Sequence, residues 1–182
     1  MHKAIGMAEY QTVSTGIRAA DLMVKTADVD IMEAQTVCPG KYIVLICGEL
    51  SAVRAAVDAT KTMYGGKLID SFVLGNPDES IFPAIYGANA VENKNALGVL
   101  ETFSAASIIV AADMAAKTAN VRLIELRIAK GMCGKSYMLL TGEVAAVQAA
   151  IDRAQQEVGE GGMFLDSSVI PNPDEKMWET IL

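Results

Sequence analysis

The sequence predicts an α/β protein with two homologous domains, each a ferredoxin-like split β-α-β arrangement with the element order β-α-β-β-α-β. Two local signals predict it: apolar runs typical of strands alternate with segments of helical period, and Gly or Pro turns separate them. A third observation is an internal repeat that carries the whole pattern twice. Apolar residues make up 52% of the 182 residues, enough for a substantial core or for faces buried against other subunits.

The repeat is read by aligning the two halves of the chain. The matched segments keep the same order in both copies, with two small shifts in register, one of them at the cysteine-containing loop. They are residues 4–9 with 96–101, 19–21 with 111–113, 25–27 with 117–119, 48–49 with 142–143, 70–71 with 166–167, and 76–78 with 172–174. Chance does not produce this many ordered matches. We therefore predict two domains, at residues 1–93 (with a tail and linker) and 94–182.

The first copy opens with a strand at Ala4–Tyr10, followed by a helix with Ser14 as its N-cap. Its apolar face is predicted from residues at helical spacing, namely Val13, Ile17, Ala20, Val24 and Ala27. Two strands come next, at Val29–Val37 and Lys41–Cys47, on either side of a short loop.

A second helix is marked by Val53, Ala56, Val57 and Tyr64 and ends at Gly65-Gly66. Lys67–Leu74 is the fourth strand. The second copy repeats these elements, and its second helix is marked by Val144, Val147, Ala150, Ile151 and Ala154. Residues 76–95, which contain two Pro-containing turns, are interpreted as the tail of the first copy plus the linker, and residues 173–182 as the equivalent tail.

The net charge of −7 argues against a nucleic-acid partner, which calls for clustered Lys and Arg, and against docking on anionic membranes. No run approaches the ~20 apolar residues of a membrane span. The apolar segment after Met1-His2-Lys3 is too short and interrupted for a signal peptide. A cytosolic protein is therefore expected.

The three cysteines are Cys38, Cys47 and Cys133, an odd number without CxxC spacing, so reduced thiols or metal ligands fit better than a disulfide framework. Cys47 lies on an apolar strand and is interpreted as a core residue, with Thr141 as its counterpart. Cys38 stands on a turn between two strands, and Pro39 stiffens that turn by fixing its own φ angle. A thiol held on such a loop is accessible to solvent. An incidental loop cysteine is the alternative.

Charged residues recur at matched positions. Asp21 with Lys25, and Asp113 with Lys117, stand four residues apart on predicted helices, where they form surface ion pairs or mark an edge between assemblies. Glu9 and Glu101 occupy equivalent strand positions, but nothing in the sequence brings them together for acid/base catalysis. The sequence also offers no Ser/His/Asp set, so we do not expect an enzyme.

The repeated motifs resemble the bacterial microcompartment (BMC) shell-protein domain. They are Ala-Ile-Gly-x-x-Glu, Ala-Ala-Asp-x-x-x-Lys-Thr-Ala, a Gly-Lys before a strand and Gly-Glu-Val-x-x-Val. The duplication, with Cys38-Pro39-Gly40-Lys41 in the first copy, is similar to the tandem-domain shell proteins of propanediol-utilisation compartments, the PduT type. Ethanolamine and choline compartments share such components, so the compartment stays open.

The resemblance implies a homotrimer whose six domains imitate a hexagonal tile of a microcompartment shell in the cytoplasm. It also implies a [4Fe–4S] cluster, shared by three subunits, that Cys38 of each subunit binds at the central pore. A cubane cluster normally takes four thiolates, and threefold symmetry turns one Cys38 into three. The implied function therefore combines a structural role in the shell with transfer of electrons, or of the cluster itself, across the shell.

The pore loops implied by the resemblance comprise Pro39, Gly40, Lys41, Gly131, Met132, Gly134 and Lys135. Cys133 departs from the family pattern, which has glycine nearby, and is a further candidate ligand. Lys25 and Lys117 correspond to lysines at the tile edge. Expected partners are other BMC shell proteins and an encapsulated or cytosolic redox protein.

Two alternatives remain at this point. One is a plain shell tile with a metabolite-conducting pore and no metal. The other is a cytosolic thiol-redox or small-molecule-binding protein on the same scaffold.

Overall fold

The computed structural model describes residues 4–89, 91 and 94–181. They form two compact units that exchange short segments. The first unit runs to Pro77 and includes Ser104–Ser107 and Ala129–Gly134 from the second copy, and the remaining residues form the second unit. The predicted domain boundary touches Asn93, which lies outside the described residues, so that boundary stays a prediction.

The first copy folds in the predicted order β-α-β-β-α-β. Its strands form one antiparallel sheet in the order β2-β3-β1-β4, with a short 3-10 turn at Gly65–Lys67 before the last strand. Its elements are β1 (Ala4–Tyr10), α1 (Val13–Thr26), β2 (Val29–Val37), β3 (Lys41–Gly48), α2 (Leu50–Tyr64) and β4 (Leu68–Gly75).

The second copy repeats this arrangement, with the strand order β6-β7-β5-β8. Its elements are β5 (Ala96–Thr102), α4 (Ala105–Thr118), β6 (Val121–Arg127), β7 (Ser136–Gly142), α5 (Val144–Glu160) and β8 (Phe164–Ile170). The predicted fold class is confirmed. Each of the two tails also contains a short helix that was not predicted, α3 (Ile81–Ile85) and α6 (Glu175–Ile181), stabilised by buried Ile81 and Trp178.

The core follows from the strand order. β1 lies between β3 and β4, and all seven of its residues are buried. Ala4, Ala8 and Tyr10 pack with Val44 and Val53 in one hydrophobic cluster. None of the helices within the described ranges has the length and hydrophobicity of a membrane span.

The predicted helix α1 is confirmed, but the apolar residues that predicted it coincide with its buried face only at Ala20. Ile17 and Val24 are 54% and 43% exposed, whereas the buried residues of the helix are Gly16, Ala19, Ala20 and Met23. The predicted cap was wrong as well, because Thr12 holds the N-cap position and Ser14 lies exposed inside the helix. A glycine is required on the buried face because the helix packs there against a large ring on β3.

That ring belongs to Tyr42. A Cβ atom added at Gly16 would lie 2.4 Å from the Tyr42 side chain. In the second copy the equivalent positions are Ile108 on α4 and Ser136 on β7, both buried. The two copies thus fill the same space from opposite sides, since the large residue stands on the strand in one and on the helix in the other.

We expect Gly16→Ala to lower the free energy of unfolding by about 1–3 kcal/mol, because overpacking outweighs the helix propensity of Ala, which is worth about 1 kcal/mol. Urea denaturation measures the change. Gly65→Ala is the control, since a Cβ there meets nothing within 4 Å. Adding Tyr42→Ser should reduce the cost of Gly16→Ala, and strictly additive costs would contradict the packing argument.

Candidate functional site

Cys38 lies on the turn between β2 and β3. The Gly40 amide donates a hydrogen bond to the Val37 carbonyl at 2.9 Å, which closes the turn. Gly40 has φ +106°, a conformation that favours glycine. The Cys38 side chain is half-buried and forms no disulfide. The turn therefore holds one thiol at a fixed backbone position where solvent reaches it.

The second cysteine loop lies beside this turn, within the same compact unit. The Cys38 amide donates to the Ala129 carbonyl at 3.2 Å. Gly134 has φ +87°, and a Cβ there would lie 3.2 Å from the Cys38 carbonyl oxygen. Residues 129 and 134 thus contact the Cys38 backbone, and exposed Cys133 stands on the same loop. Cys133 therefore stands on the loop that adjoins the Cys38 turn, and a metal-binding role for Cys133 stays a prediction.

Lys41 connects the two loops to the sheet. Its Nζ atom donates to Glu9 Oε1 at 2.8 Å and to the Gly134 carbonyl at 3.3 Å. Glu9 is fully buried, and this burial raises the pKa of its carboxyl group, while the hydrogen bond and charge of Lys41 act in the opposite direction. Lys41 was predicted as a pore-loop residue, and its ammonium group is held by these two oxygens.

The other Glu9 oxygen binds the start of α4. Glu9 Oε2 accepts a hydrogen bond from the Ala105 amide at 2.8 Å, at the first residue of the helix. Asp70, which faces Glu9 in the β1–β4 register, accepts hydrogen bonds from the hydroxyls of Ser104 and Ser107. Carboxylates at a helix N-terminus satisfy its unpaired amides and complement its dipole. We call Glu9, Lys41 and Asp70 the acidic cradle.

The acidic cradle was missed by sequence reasoning. Glu9 was weighed only as a catalytic acid paired with Glu101, and the two residues stand on different strands, β1 and β5. The available signal was the Ser104-x-x-Ser107 pattern at the start of a helix, which predicts capping. It does not identify the distant carboxylate that receives the hydroxyls.

The predicted i, i+4 ion pairs are confirmed. Lys25 to Asp21 and Lys117 to Asp113 are both 2.7 Å long. Their environments differ, because the Asp21 side chain is 59% exposed and the Asp113 side chain is 4% exposed. Asp113 also accepts a hydrogen bond from the Asp78 amide at 2.9 Å. The role of the two lysines at a tile edge stays a prediction.

Cys47 lies in the core, as predicted. It is 1% exposed and faces Ile5 in the β1–β3 register, as Thr141 faces Leu97 in the second sheet. Burial raises the pKa of the Cys47 thiol, which keeps it protonated and poorly suited to bind metal. Thr141 satisfies its hydroxyl by donating to the Ala96 carbonyl at 2.9 Å.

What Cys38 can bind depends on how many other metal-ligating side chains lie near it. Over the ranges that the structure describes, no three His, Cys, Asp or Glu side chains in one chain are grouped to hold a metal ion. One chain thus offers Cys38, with Cys133 on the adjoining loop. The thiol chemistry suits an iron–sulfur cluster, and the number of thiols suits it only when several chains contribute.

Comparison with known proteins gives consistent results. Residues 4–77 and 96–173 each match the BMC domain model. The chain is 40% identical over 182 residues to bacterial microcompartment shell protein PduT of Citrobacter freundii, covering 100% of this chain and 99% of that protein. It is 26% identical to carboxysome assembly protein CcmO of Synechocystis sp., covering 98% of this chain and 64% of that protein.

Solved structures agree. A crystal structure of a microcompartment protein from Desulfitobacterium hafniense DCB shares 46% identity and a TM-score of 0.85, covering 98% of this chain and 99% of the other. The fused permuted hexameric shell protein MSM0275 of the RMM microcompartment shares the fold, with a TM-score of 0.66 at 20% identity, over 86% of this chain and 81% of that one. The chain belongs to the BMC-domain family, with two BMC domains in tandem.

Proposed function

We propose that this chain is a microcompartment shell protein whose homotrimer holds a [4Fe–4S] cluster at its central pore through Cys38 of each subunit. The 40% identity to PduT along the whole chain supports the structural shell role. The observation that carries the cluster proposal is the Cys38 turn, which presents one reduced, accessible thiol per chain at a fixed position.

The residues around Cys38 would act by fixing its backbone. Gly40 closes the turn, and the Ala129 carbonyl accepts from the Cys38 amide. Three such thiolates leave one cluster iron for water, a small solute or an external thiolate. When bound, the cluster would supply one-electron transfer. A redox protein on either side of the shell is the corresponding partner, and other BMC shell proteins are the partners for tiling.

The surroundings of Glu9 support a structural role for this carboxylate rather than a catalytic one. Glu9, the fully buried carboxyl group, is bound by Lys41 and by the start of α4. A general base needs access to a substrate proton, and this carboxylate has both oxygens engaged. We therefore propose no catalytic residue.

The test is an iron and sulfide assay on anaerobically purified protein, combined with native mass measurement. We expect brown trimers with about four irons per three chains, as a single cubane cluster requires. Colourless trimers that still form sheets would instead support a plain tile with a metabolite pore. A monomer that turns over a disulfide substrate would overturn the shell role as well.

A further inference from the structure

The acidic cradle has a second copy. By the internal repeat, Glu9, Lys41 and Asp70 correspond to Glu101, Lys135 and Asp166. The correspondence holds in detail, because Glu101 faces Asp166 across β5–β8 as Glu9 faces Asp70 across β1–β4. Asp166 also accepts its neighbour's amide, from Ser167, at 2.8 Å, as Asp70 does from Ser71.

The second set is much more open to solvent than the first. Glu9 is fully buried, whereas Glu101 is partly exposed, and both Lys135 and Asp166 are exposed. Among the residues that the structure describes, Glu101 and Lys135 form no ion pair or hydrogen bond with each other or with another side chain. The acidic cradle of the first copy thus binds the start of α4, whereas the corresponding residues of the second copy have the same chemistry and face solvent.

The chain also contains a helix start of the kind that would bind to this second set of residues. Ser104, Ala105 and Ser107, which the first cradle binds, correspond to Thr12, Val13 and Thr15 at the start of α1. Thr12 is the N-cap residue of α1, yet its side chain makes no capping hydrogen bond. The Thr12 hydroxyl instead donates to the Thr15 hydroxyl at 2.9 Å.

The rest of α1 is also more exposed to solvent than the corresponding part of α4. Ile17 is 54% exposed, and its counterpart Ile109 is fully buried. The side chain of Asp21 is 59% exposed, against 4% for its counterpart Asp113. The polar and the apolar groups that are covered on α4 are therefore uncovered on α1.

We propose that Glu101, Asp166 and Lys135 form the docking site for the start of α1 of a second copy of this chain. Glu101 receives the Val13 amide, Asp166 receives the hydroxyls of Thr12 and Thr15, and Lys135 donates to the Gly40 carbonyl of the neighbour. The last contact follows from Lys41, which binds the carbonyl of Gly134, the counterpart of Gly40. Carboxylates facing a helix N-terminus and hydroxyl donors are complementary in charge.

Two consequences follow. The interface is heterologous, since one surface of a subunit meets a different surface of the next, and such contacts close into rings when the rotation permits. The same contact also links association to the candidate cluster site, because Lys135 of one subunit would hold the Cys38 turn of its neighbour. This inference rests on the homotrimer of the proposed function, and it assigns the residues that hold the trimer together.

The test compares matched variants of the two cradles. In a dilution series followed by sedimentation velocity, Asp166→Ala and Glu101→Ala should each raise the concentration at which the trimer dissociates by about tenfold or more. Asp70→Ala, the control, removes the carboxylate within the chain, so it should lower the urea midpoint of unfolding with a smaller effect on association. Trimers of both copy-two variants that dissociate as wild type does would overturn the proposal.

A double-mutant cycle locates the contact. Thr12→Val removes the hydroxyl proposed to face Asp166, and its effect on dissociation should not add to that of Asp166→Ala. Fully additive effects would contradict that pairing. A wild-type chain that is monomeric at all concentrations overturns the trimer itself, whereas a stable wild-type trimer with insensitive variants overturns only the docking site.

Discussion

Cys38→Ser is expected to remove all bound iron from the trimer while leaving its oligomeric state and folding unchanged. A serine hydroxyl is a far poorer ligand for iron than a thiolate, and each substituted trimer loses three ligands at once. The turn itself should survive, because the Gly40–Val37 and Cys38–Ala129 hydrogen bonds use backbone atoms. Iron and sulfide analysis of anaerobically purified variant, beside native mass, measures both quantities.

Two other cysteines serve as controls. Cys47→Ser acts in the core, where burial keeps the thiol from binding metal, so iron content should be retained even where stability falls. Cys133→Ser tests the adjoining loop. We expect iron to be retained there, since the turn at Cys38 supplies one ligand per subunit without it. A Cys38→Ser trimer that still holds iron would contradict the proposed ligand set.

Much of the fold could be predicted because its signals are local. The bounds of β1 and β2 coincide with those predicted, and the repeat shows that the second copy folds alike. The short helices α3 and α6 were missed because each has seven or fewer residues, too few to establish a period. The inward face of α1 was missed because it depends on Tyr42, which lies on another element.

One part of the candidate site could be predicted from the sequence and another part could not. Cys38 could be identified from its turn residues and from the family resemblance. The acidic cradle could not, because it joins residues far apart in sequence, with Glu9 bound to Lys41 and to Ala105. Such a pairing is decided by how the sheet positions its strands, and a single sequence carries no direct signal for it.

Lys41→Met is expected to lower the free energy of unfolding by about 3–5 kcal/mol at neutral pH, the cost of leaving a buried carboxylate without its cation. Glu9 is fully buried and the Lys41 side chain is 17% exposed, so water screens this pair little. The substitution also removes the hydrogen bond to the Gly134 carbonyl. Urea unfolding measures the loss. Lys61→Met on exposed α2 surface is the control, and should change stability by less than about 0.5 kcal/mol.

The loss should depend on pH in a defined direction. Burial raises the pKa of Glu9 above its ordinary value of 4.5, and Lys41 opposes that rise. Without Lys41 the folded-state pKa rises further, so folded protein binds this proton more readily than unfolded protein does. Stability that depends on protonated Glu9 is then complete below the ordinary pKa and is lost as pH rises through the raised one.

The deficit of Lys41→Met relative to wild type should therefore be small near pH 4 and grow toward neutral pH. Its slope cannot exceed about 1.4 kcal/mol per pH unit, because one proton is involved. Asp70 faces the same position, and its negative charge acts in the same direction as burial. Adding Glu9→Gln should abolish the pH dependence of the deficit, since the neutral amide does not titrate. A deficit that is constant from acid to neutral pH would show that Lys41 acts through packing rather than through the charge of Glu9.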